Sequence, residues 1–251
     1  MNFDISHLLD QWDYQPGQVV VRKFTAKDGV EKIQLRLDLG ILQMNAEGRP
    51  DGKRPLGHSS MYDYYRAKHF KHLTSTSADN FRLKPEDCAK LQFEAFQYHN
   101  RYNCLLQLKE FSRVVLDTDR NLAVFDFVQK YAESEDLAWT LLQFKPQLIL
   151  VRTRALAGAS LEGNDHAAAI KHIEDGLDQL RDFHREHSRS EGAEQSGETR
   201  SLRNWLDEIS SSRPVTRRER LERELNEAIS NEDYEKAAQM RDAIRNLKTT
   251  E

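Results

Sequence analysis

The residues best able to do chemistry in this chain are the basic side chains of a loop rich in glycine and proline. Residues 45–58 have the sequence NAEGRPDGKRPLGH, which places Arg49, Lys53 and Arg54 among turn-forming residues. Clustered cations of this kind bind phosphate or carboxylate groups. The loop lacks the G-x-x-x-x-G-K-S/T spacing that positions a lysine and a hydroxyl around nucleotide phosphates. We therefore favour a surface loop, with an anionic-ligand site as the alternative.

A second group of cations lies within residues 213–223. Such a cluster on a helix is suited to nucleic acid phosphates or to an acidic protein surface. Glu219, Glu222 and Glu224 interleave with it, which favours a solvated face of intrahelical ion pairs over a contact with DNA. The basic residues concerned are Arg213, Arg217, Arg218, Arg220 and Arg223.

Metal-binding and catalytic patterns are weak throughout the sequence. His69 and His72 are three residues apart, near His58, but no glutamate completes an HExxH arrangement. Cys88 and Cys104 lie outside any CxxC or Cys/His cluster, so we interpret them as small core residues. Neither a nucleophile elbow nor a glycine-rich dinucleotide fingerprint occurs. The sequence therefore predicts no metal, no cofactor and no enzymatic reaction.

The composition indicates the elements that must position these residues. The 251 residues include only 11 glycines and 6 prolines, which favours a mainly α protein over a sandwich or barrel. A net charge of −4 gives no global electrostatic signature for nucleic acid. Because the sequence has neither a basic leader nor an apolar stretch of 18 residues, we expect a cytoplasmic protein without a membrane partner.

Alternating apolar residues predict a small N-terminal β-hairpin within a subdomain at residues 1–75. Two alternating segments flank Asp28-Gly29, a strong hairpin-turn signal. In the second segment Ile33, Leu35, Leu37 and Leu39 occupy one face, and Gln34, Arg36 and Asp38 the other. Gly40 is expected to mark a bulge or bend.

A helical body is predicted for residues 84–187. Its clearest stripe begins after Pro85 and steps by three and four residues through Cys88, Leu91, Ala95, Tyr98, Tyr102 and Leu105. We expect this helix to continue to about Leu116 and to stop at 117–119. Ser134 and Asp165 are predicted helix caps. Residues 147–187 form a helix pair whose small and apolar positions resemble a tetratricopeptide (TPR) repeat, so we predict a TPR-like antiparallel array.

A linker, residues 188–212, follows the body and precedes the C-terminal segment 213–251. Its first part belongs to a polar stretch, 186–200, without apolar periodicity. Its second part carries a short amphipathic helix with Leu202, Trp205, Leu206 and Ile209 on one face.

Two short amphipathic segments around a polar turn end the sequence. Apolar or small residues recur at steps of three and four on both sides of Asn231-Glu232-Asp233, and Asp233 is placed to cap the second helix. Ala237 and Ala238 are small enough to let two helices approach closely. Residues 213–251 are therefore expected to form an antiparallel helical hairpin.

This hairpin resembles the UVR motif shared by UvrB and UvrC excision-repair proteins and by some ClpC-type chaperones. The resemblance rests on Leu221, Ala228, the run Tyr234-Glu235-Lys236-Ala237-Ala238, Arg241-Asp242, Ile244 and Leu247. It implies an interaction module that pairs with another hairpin or with a partner protein, of UvrB/UvrC type or chaperone type, and self-association is a further option. The expected docking face comprises Leu221, Leu225, Ala228, Tyr234, Ala237, Ala238, Arg241, Ile244 and Leu247.

Three functional hypotheses follow from these observations. We favour a non-enzymatic adaptor that binds a protein partner through the hairpin. The second hypothesis is an accessory factor of nucleotide excision repair that contacts DNA through the arginine cluster. The third is a small-ligand-binding protein or enzyme that uses the basic N-terminal loop.

Overall fold

The computed structural model describes residues 4–75, 81–187, 196–212 and 217–247 of the chain. The chain divides into two compact units, Met1–Leu206 and Asp207–Glu251. The predicted class is confirmed: the protein is mainly helical, with a small antiparallel sheet near its N-terminus and a helix pair at its C-terminus.

Helices make up most of the described residues, and the three strands lie near the N-terminus. Among the described residues, no helix is long and apolar enough to cross a membrane. The elements are α1 Ser6–Leu9, β1 Val20–Thr25, β2 Glu31–Leu37, β3 Gly40–Asn45, a 3-10 turn Pro55–Gly57, α2 Met61–Ser75, α3 Pro85–Gln107, α4 Phe111–Tyr131, α5 Glu135–Leu142, α6 Lys145–Glu162, α7 His166–Glu186, α8 Gly197–Ser212, α9 Arg217–Ser230 and α10 Tyr234–Leu247.

The N-terminal sheet has three antiparallel strands in the order β1-β2-β3, one more than the hairpin predicted from the sequence. The single long segment expected through Leu39 is interrupted by a tight turn at residues 38–39, which leaves Leu39 90% exposed. Gly40 begins β3 and pairs with Leu37, so of the two predicted options, a bulge or a bend, the structure has a turn directly before Gly40 and no bulge at it. The alternation of apolar residues continued across the turn, and it concealed the boundary between two strands.

One face of the sheet packs on the helices, and the other carries a row of polar side chains. Ile33 and Met44 are paired across β2 and β3, and both are buried in a core shared with α2–α6. On the opposite face Gln34 donates to Gln43 at 2.7 Å. Arg36 on this face donates to the backbone carbonyl of Trp12 at 2.7 Å. The polar face of β2 is thus satisfied by hydrogen bonds, as buried polar groups require.

Helix α3 confirms the predicted stripe but not the predicted end. All six stripe residues are buried, and Asp87 accepts a hydrogen bond from the backbone N–H of Lys84 to cap the first turn. The helix ends at Gln107 because Lys109 adopts a left-handed conformation with φ +58°. The continuation to Leu116 was therefore wrong. The predicted stop at 117–119 was wrong as well, since Asp117 and Thr118 lie inside α4 and are buried.

Helices α6 and α7 form the helix pair predicted from the sequence, and a tight turn connects them. Asn164 is left-handed at φ +58°, and the Asp165 side chain accepts from the backbone N–H of Ala168 at 2.9 Å, as expected for the cap. The two helices approach closely at Gly176, where a Cβ would lie 2.3 Å from Oγ1 of Thr153. The resemblance of this pair to a TPR repeat stays a prediction.

Helix α8 begins earlier than the sequence indicated. It starts at Gly197, within the stretch expected to be linker, because Ser196 accepts from the backbone N–H of Thr199 at 3.1 Å and caps it. Leu202 and Ile209 are buried, as the amphipathic spacing predicted. Residues 188–195 of the predicted linker lie outside the described residues.

Candidate functional site

The turn of the C-terminal hairpin is built from backbone hydrogen bonds that end α9 and a side chain that starts α10. Asp233 N–H donates to the carbonyl of Ala228 at 2.8 Å, and Glu232 N–H to that of Ile229 at 3.0 Å. This pair of bonds is the Schellman motif, with Glu232 left-handed at φ +58°. The Asp233 carboxylate then accepts from Lys236 N–H at 3.1 Å, which confirms the predicted cap.

Two small residues close the contact between α9 and α10. Ala228 on α9 is 3% exposed and Ala237 on α10 is 8% exposed. Alanine at both positions allows the helix axes to come close. The sequence analysis assigned this role to Ala237 and Ala238, but Ala238 is only partly buried. The apolar area buried by two methyl groups is small, so this contact alone stabilises the hairpin only weakly.

The larger apolar side chains of the hairpin remain partly or largely in contact with water. Tyr234 is 70% exposed at the start of α10. Ile229 is 51% exposed and is a residue that the sequence-derived set missed, although its spacing of four from Leu225 was a usable signal. The intermediate positions are Leu221, Leu225, Ala238 and Ile244, and the side chain of Leu247 lies outside the described residues.

Arg241 lies on the surface of α10 rather than across the hairpin from an acid. Its side chain is 71% exposed, and its Nε lies 3.6 Å from the carboxylate of the adjacent Asp242. An ion pair this exposed contributes little to stability, at most about 1 kcal/mol. The guanidinium is therefore presented to solvent, in a position where an acid of a partner could reach it.

The basic cluster at the start of the hairpin is balanced by acids. Arg220 is exposed on α9, whereas Arg213 and the side chains of Arg217 and Arg218 lie outside the described residues. Between residues 217 and 247 the sequence carries seven basic and eight acidic side chains. The hairpin as a whole therefore has no net positive charge with which to attract a nucleic acid backbone.

The three cations of the 45–58 loop are not brought together. The side chain of Arg49 is 9% exposed, with its Nε 3.0 Å from Oε2 of Glu94 and its Nη2 3.4 Å from Asp51. Lys53 and Arg54 are exposed to solvent. Gly52, at φ +69°, keeps this turn tight, because a Cβ there would lie 2.7 Å from the Asn45 amide nitrogen. An anion at this loop would meet Lys53 and Arg54 without the help of Arg49.

Arg49 belongs to a buried ionic network that the sequence analysis did not predict. Glu94 of α3 is fully buried and accepts from the first backbone amides of α2, those of Met61 at 2.7 Å and Tyr62 at 3.2 Å. It also pairs with Arg120 of α4. The carboxylate thus sits at the positive end of α2 and between two guanidinium groups.

A second buried pair extends this network toward the sheet. Arg101 donates two parallel hydrogen bonds to Asp117, at 2.8 and 2.6 Å, and further bonds to the carbonyls of Asn45 and Gly48. Burial raises the pKa of Asp117, and the Arg101 guanidinium opposes that shift. A signal existed in the sequence, since Glu94 and Arg101 are seven residues apart beside the apolar stripe of α3. The network ties the loop, the sheet and the helices together.

The histidines and cysteines considered for chemistry lie in packed surroundings. His69 contacts the rings of Phe81 and Tyr131, with centroids 5.0 and 4.4 Å away. In the described part of the chain no group of three or more His, Cys, Asp or Glu side chains is arranged to hold a metal ion. Burial raises the pKa of Cys88 to about 11 and that of Cys104 to about 12, which keeps both thiols protonated and unreactive.

Comparison with known proteins bears on the hairpin alone. No curated protein and no solved structure matches this chain. The resemblance inferred from Leu221, Ala228 and the run 234–238 is confirmed by a family model. The segment that this model matches, residues 216–250, is a UvrB/uvrC motif.

Proposed function

We propose that this protein is a non-enzymatic adaptor that binds a protein partner through its C-terminal hairpin. The observation that carries the proposal is the distribution of burial: the two small alanines lie inside the hairpin, while Ile229 and Tyr234 lie mostly outside it. Exposed large apolar residues at the end of a helical hairpin are suited to a helical partner that covers them. The UvrB/uvrC motif match supports the same role, since the motif is an interaction module.

The proposed docking face is the sequence-derived set, Leu221, Leu225, Ala228, Tyr234, Ala237, Ala238, Arg241, Ile244 and Leu247, extended by Ile229. Ala228 and Ala237 act within the hairpin by setting the helix spacing. Tyr234 and Ile229 supply area that a partner can bury, and Arg241 supplies a charge for a partner acid. The partner class is a protein with a complementary hairpin, of UvrB/UvrC or chaperone type, and a cytoplasmic location belongs to the same proposal.

A pull-down from lysate of the source cells tests this role. The full chain is compared with a chain ending at Ser212 and with the variant Ile229→Asp/Tyr234→Asp, whose substitutions fall on exposed side chains. We expect a partner retained by the full chain to be lost from both. Gln239→Asp, an exposed substitution elsewhere on α10, is the matched control and should retain it. Equal recovery with all four proteins would exclude the hairpin as the docking element.

An accessory role in excision repair with direct DNA contact is the second candidate, and the motif itself is what favours it. The charge balance of the hairpin argues for recruitment through protein rather than DNA. Fluorescence anisotropy with a labelled duplex, at about 50 and 200 mM salt, distinguishes the two: DNA contact through several arginines would lower affinity by orders of magnitude between these concentrations. We expect no such salt-dependent binding.

A further inference from the structure

An apolar groove of about 520 Å³ lies where α3 and α4 meet α5 and the start of α6. We name it the aromatic groove, defined by Phe93, Phe96, His99, Tyr102, Phe125 and Phe144. None of the residues that line it is charged. Its volume lies within the range of about 300–1,000 Å³ that small-molecule sites occupy.

Three phenylalanines of the groove are exposed to solvent and do not contribute to the core. Helix α3 buries its main stripe inside the protein, but Phe93 and Phe96 lie on another face and are 64% and 59% exposed. Phe144, at the junction of α5 and α6, is 48% exposed in the same groove. Three large apolar side chains around one concavity form a surface that water solvates poorly and that a ligand would cover.

The shape of one wall favours a flat ligand. The rings of Phe96 and His99 are nearly parallel, with an interplanar angle of 10° and centroids 5.8 Å apart. Burial lowers the pKa of His99, so the imidazole is neutral at physiological pH. A wall of aligned neutral rings offers stacking area to an uncharged aromatic molecule.

Hydrogen bonds around His99 fix its tautomer. The Asn103 amide nitrogen donates to the backbone carbonyl of His99 at 2.9 Å, which sets the orientation of the amide. The same nitrogen lies 3.1 Å from Nε2 of His99, so Nε2 must accept. In the neutral ring the proton is then on Nδ1, and Nδ1–H donates to the Tyr102 hydroxyl at 2.7 Å.

The Tyr102 hydroxyl has no hydrogen-bond acceptor for its own proton among the described residues. Because its oxygen accepts from His99, its own O–H needs a separate acceptor. Tyr102 is 3% exposed and lines the aromatic groove. Burial raises the pKa of the phenol, so the proton is retained. A buried donor without an acceptor is costly, and a ligand acceptor would relieve that cost.

We propose that the aromatic groove binds a neutral, planar aromatic small molecule that bears a carbonyl-type acceptor. The ring system lies between Phe93, Phe96 and Phe144, and the acceptor oxygen takes the hydrogen bond from Tyr102. The proposal is independent of the hairpin and of its partner.

Binding of Nile red, a neutral planar dye with a ring carbonyl, provides the first test on the full chain. We expect its fluorescence to rise with saturable binding to the wild type, and Phe93→Ser/Phe96→Ser to weaken that binding at least about tenfold. Phe70→Ser is the matched control, since Phe70 is 66% exposed on α2 outside the groove. Circular dichroism verifies that all proteins fold. Absence of binding to the wild type, or equal binding by the groove variant, overturns the proposal.

Displacement of the dye by two molecules of the same shape tests the hydrogen bond. 9-Fluorenone has a carbonyl acceptor and fluorene has none. We expect the preference for fluorenone over fluorene to be about 3–10 times larger in the wild type than in Tyr102→Phe, the range for one buried hydrogen bond. An identical preference in the two proteins would exclude Tyr102 as the donor.

Discussion

Glu94 is the carboxylate at the centre of the buried ionic network of α2, α3 and α4. It is 0% exposed, and its carboxylate faces two arginines and two backbone amides of α2. A buried ion of this kind is tolerated only when its partners are complete. Its removal therefore affects a loop, α2 and α4 together, and the effect is measurable as a loss of global stability.

Glu94→Gln is expected to lower the free energy of unfolding by about 3 kcal/mol, because it leaves Arg49 and Arg120 without a carboxylate. Urea denaturation followed by circular dichroism gives the value. Glu110→Gln is the control: Glu110 also pairs with two cations, Lys23 and Arg113, but at a more exposed site, and should cost less than about 1 kcal/mol. Equal losses in the two variants would contradict a special role for the buried acid.

His99 makes the stability of the protein depend on pH. Burial lowers its pKa below the ordinary value of 6.5, so the unfolded chain binds a proton more readily than the folded protein. The stabilisation is complete above pH 6.5 and is lost as the pH falls from there through the lowered folded pKa. We expect the urea stability of His99→Gln to fall less between pH 7.5 and 5 than that of the wild type. Parallel pH profiles would contradict this.

At the scale of elements, three of the described helices end with a left-handed residue that is not glycine. These residues are Lys109, Asn164 and Glu232. In each case the N–H of the left-handed residue and the N–H of the next residue donate the two hydrogen bonds of a Schellman motif. Glycine is the residue that usually fills this position, since other residues pay a steric cost there. Two of the three positions carry long charged side chains, so these turns are maintained by the packing of the flanking helices.

Lys109→Gly should therefore raise the free energy of unfolding by up to about 1 kcal/mol, because glycine adopts this conformation without strain. Lys90→Gly, at an exposed site inside α3, should instead lower it by about 1 kcal/mol. The opposite signs are measured by urea denaturation. A loss of stability in both variants would show that Lys109 contributes contacts that outweigh its strain.

The contact between α6 and α7 gives a prediction on packing. Gly176→Ala places a methyl group against buried Thr153 and should cost about 1–3 kcal/mol. Thr153→Ala removes the two atoms that lie nearest to that methyl. The double variant should therefore lose clearly less stability than the sum of the single variants, as a double-mutant cycle measures. Strict additivity would mean that the helices shift apart instead.

Much of the element structure could be predicted from the sequence, because local rules determined it. The stripe from Cys88 to Leu105 and the caps Asp165 and Asp233 follow from spacing and side-chain chemistry. The break at Lys109 could not be predicted, since lysine carries no signal for a left-handed turn. The pairing of Arg49 with Glu94 and the aromatic groove depend on tertiary contacts between distant segments, which a periodicity cannot encode.

At the scale of the whole molecule, the sheet and helices α2–α6 of the first unit share one core. Ile33 of β2 is 0% exposed among residues of α2–α6, and Arg113 of α4 pairs with Glu31 of β2 at 2.6 Å. The strands therefore do not need to be stable by themselves, because their apolar face packs against helices.

Ile33→Ala is accordingly expected to destabilise the helices as well as the sheet. The loss should be about 2–4 kcal/mol, measured as a lower midpoint of the helical signal in urea. Val30→Ala, at an exposed position just before the same strand, is the control and should change the midpoint little. An unchanged helical midpoint in Ile33→Ala would show that the sheet unfolds separately.

The alanine contact between α9 and α10 also sets how often the hairpin opens. Among the described hairpin residues only the small Ala228 and Ala237 are buried, and the larger apolar side chains stay partly exposed, so opening these two helices costs far less free energy than opening α3. Their backbone amide protons should therefore exchange with deuterated water orders of magnitude faster than those of the core helix. A partner that covers Ile229 and Tyr234 would slow this exchange in both helices at once. The exchange rates of the hairpin's amides therefore report whether a partner is bound.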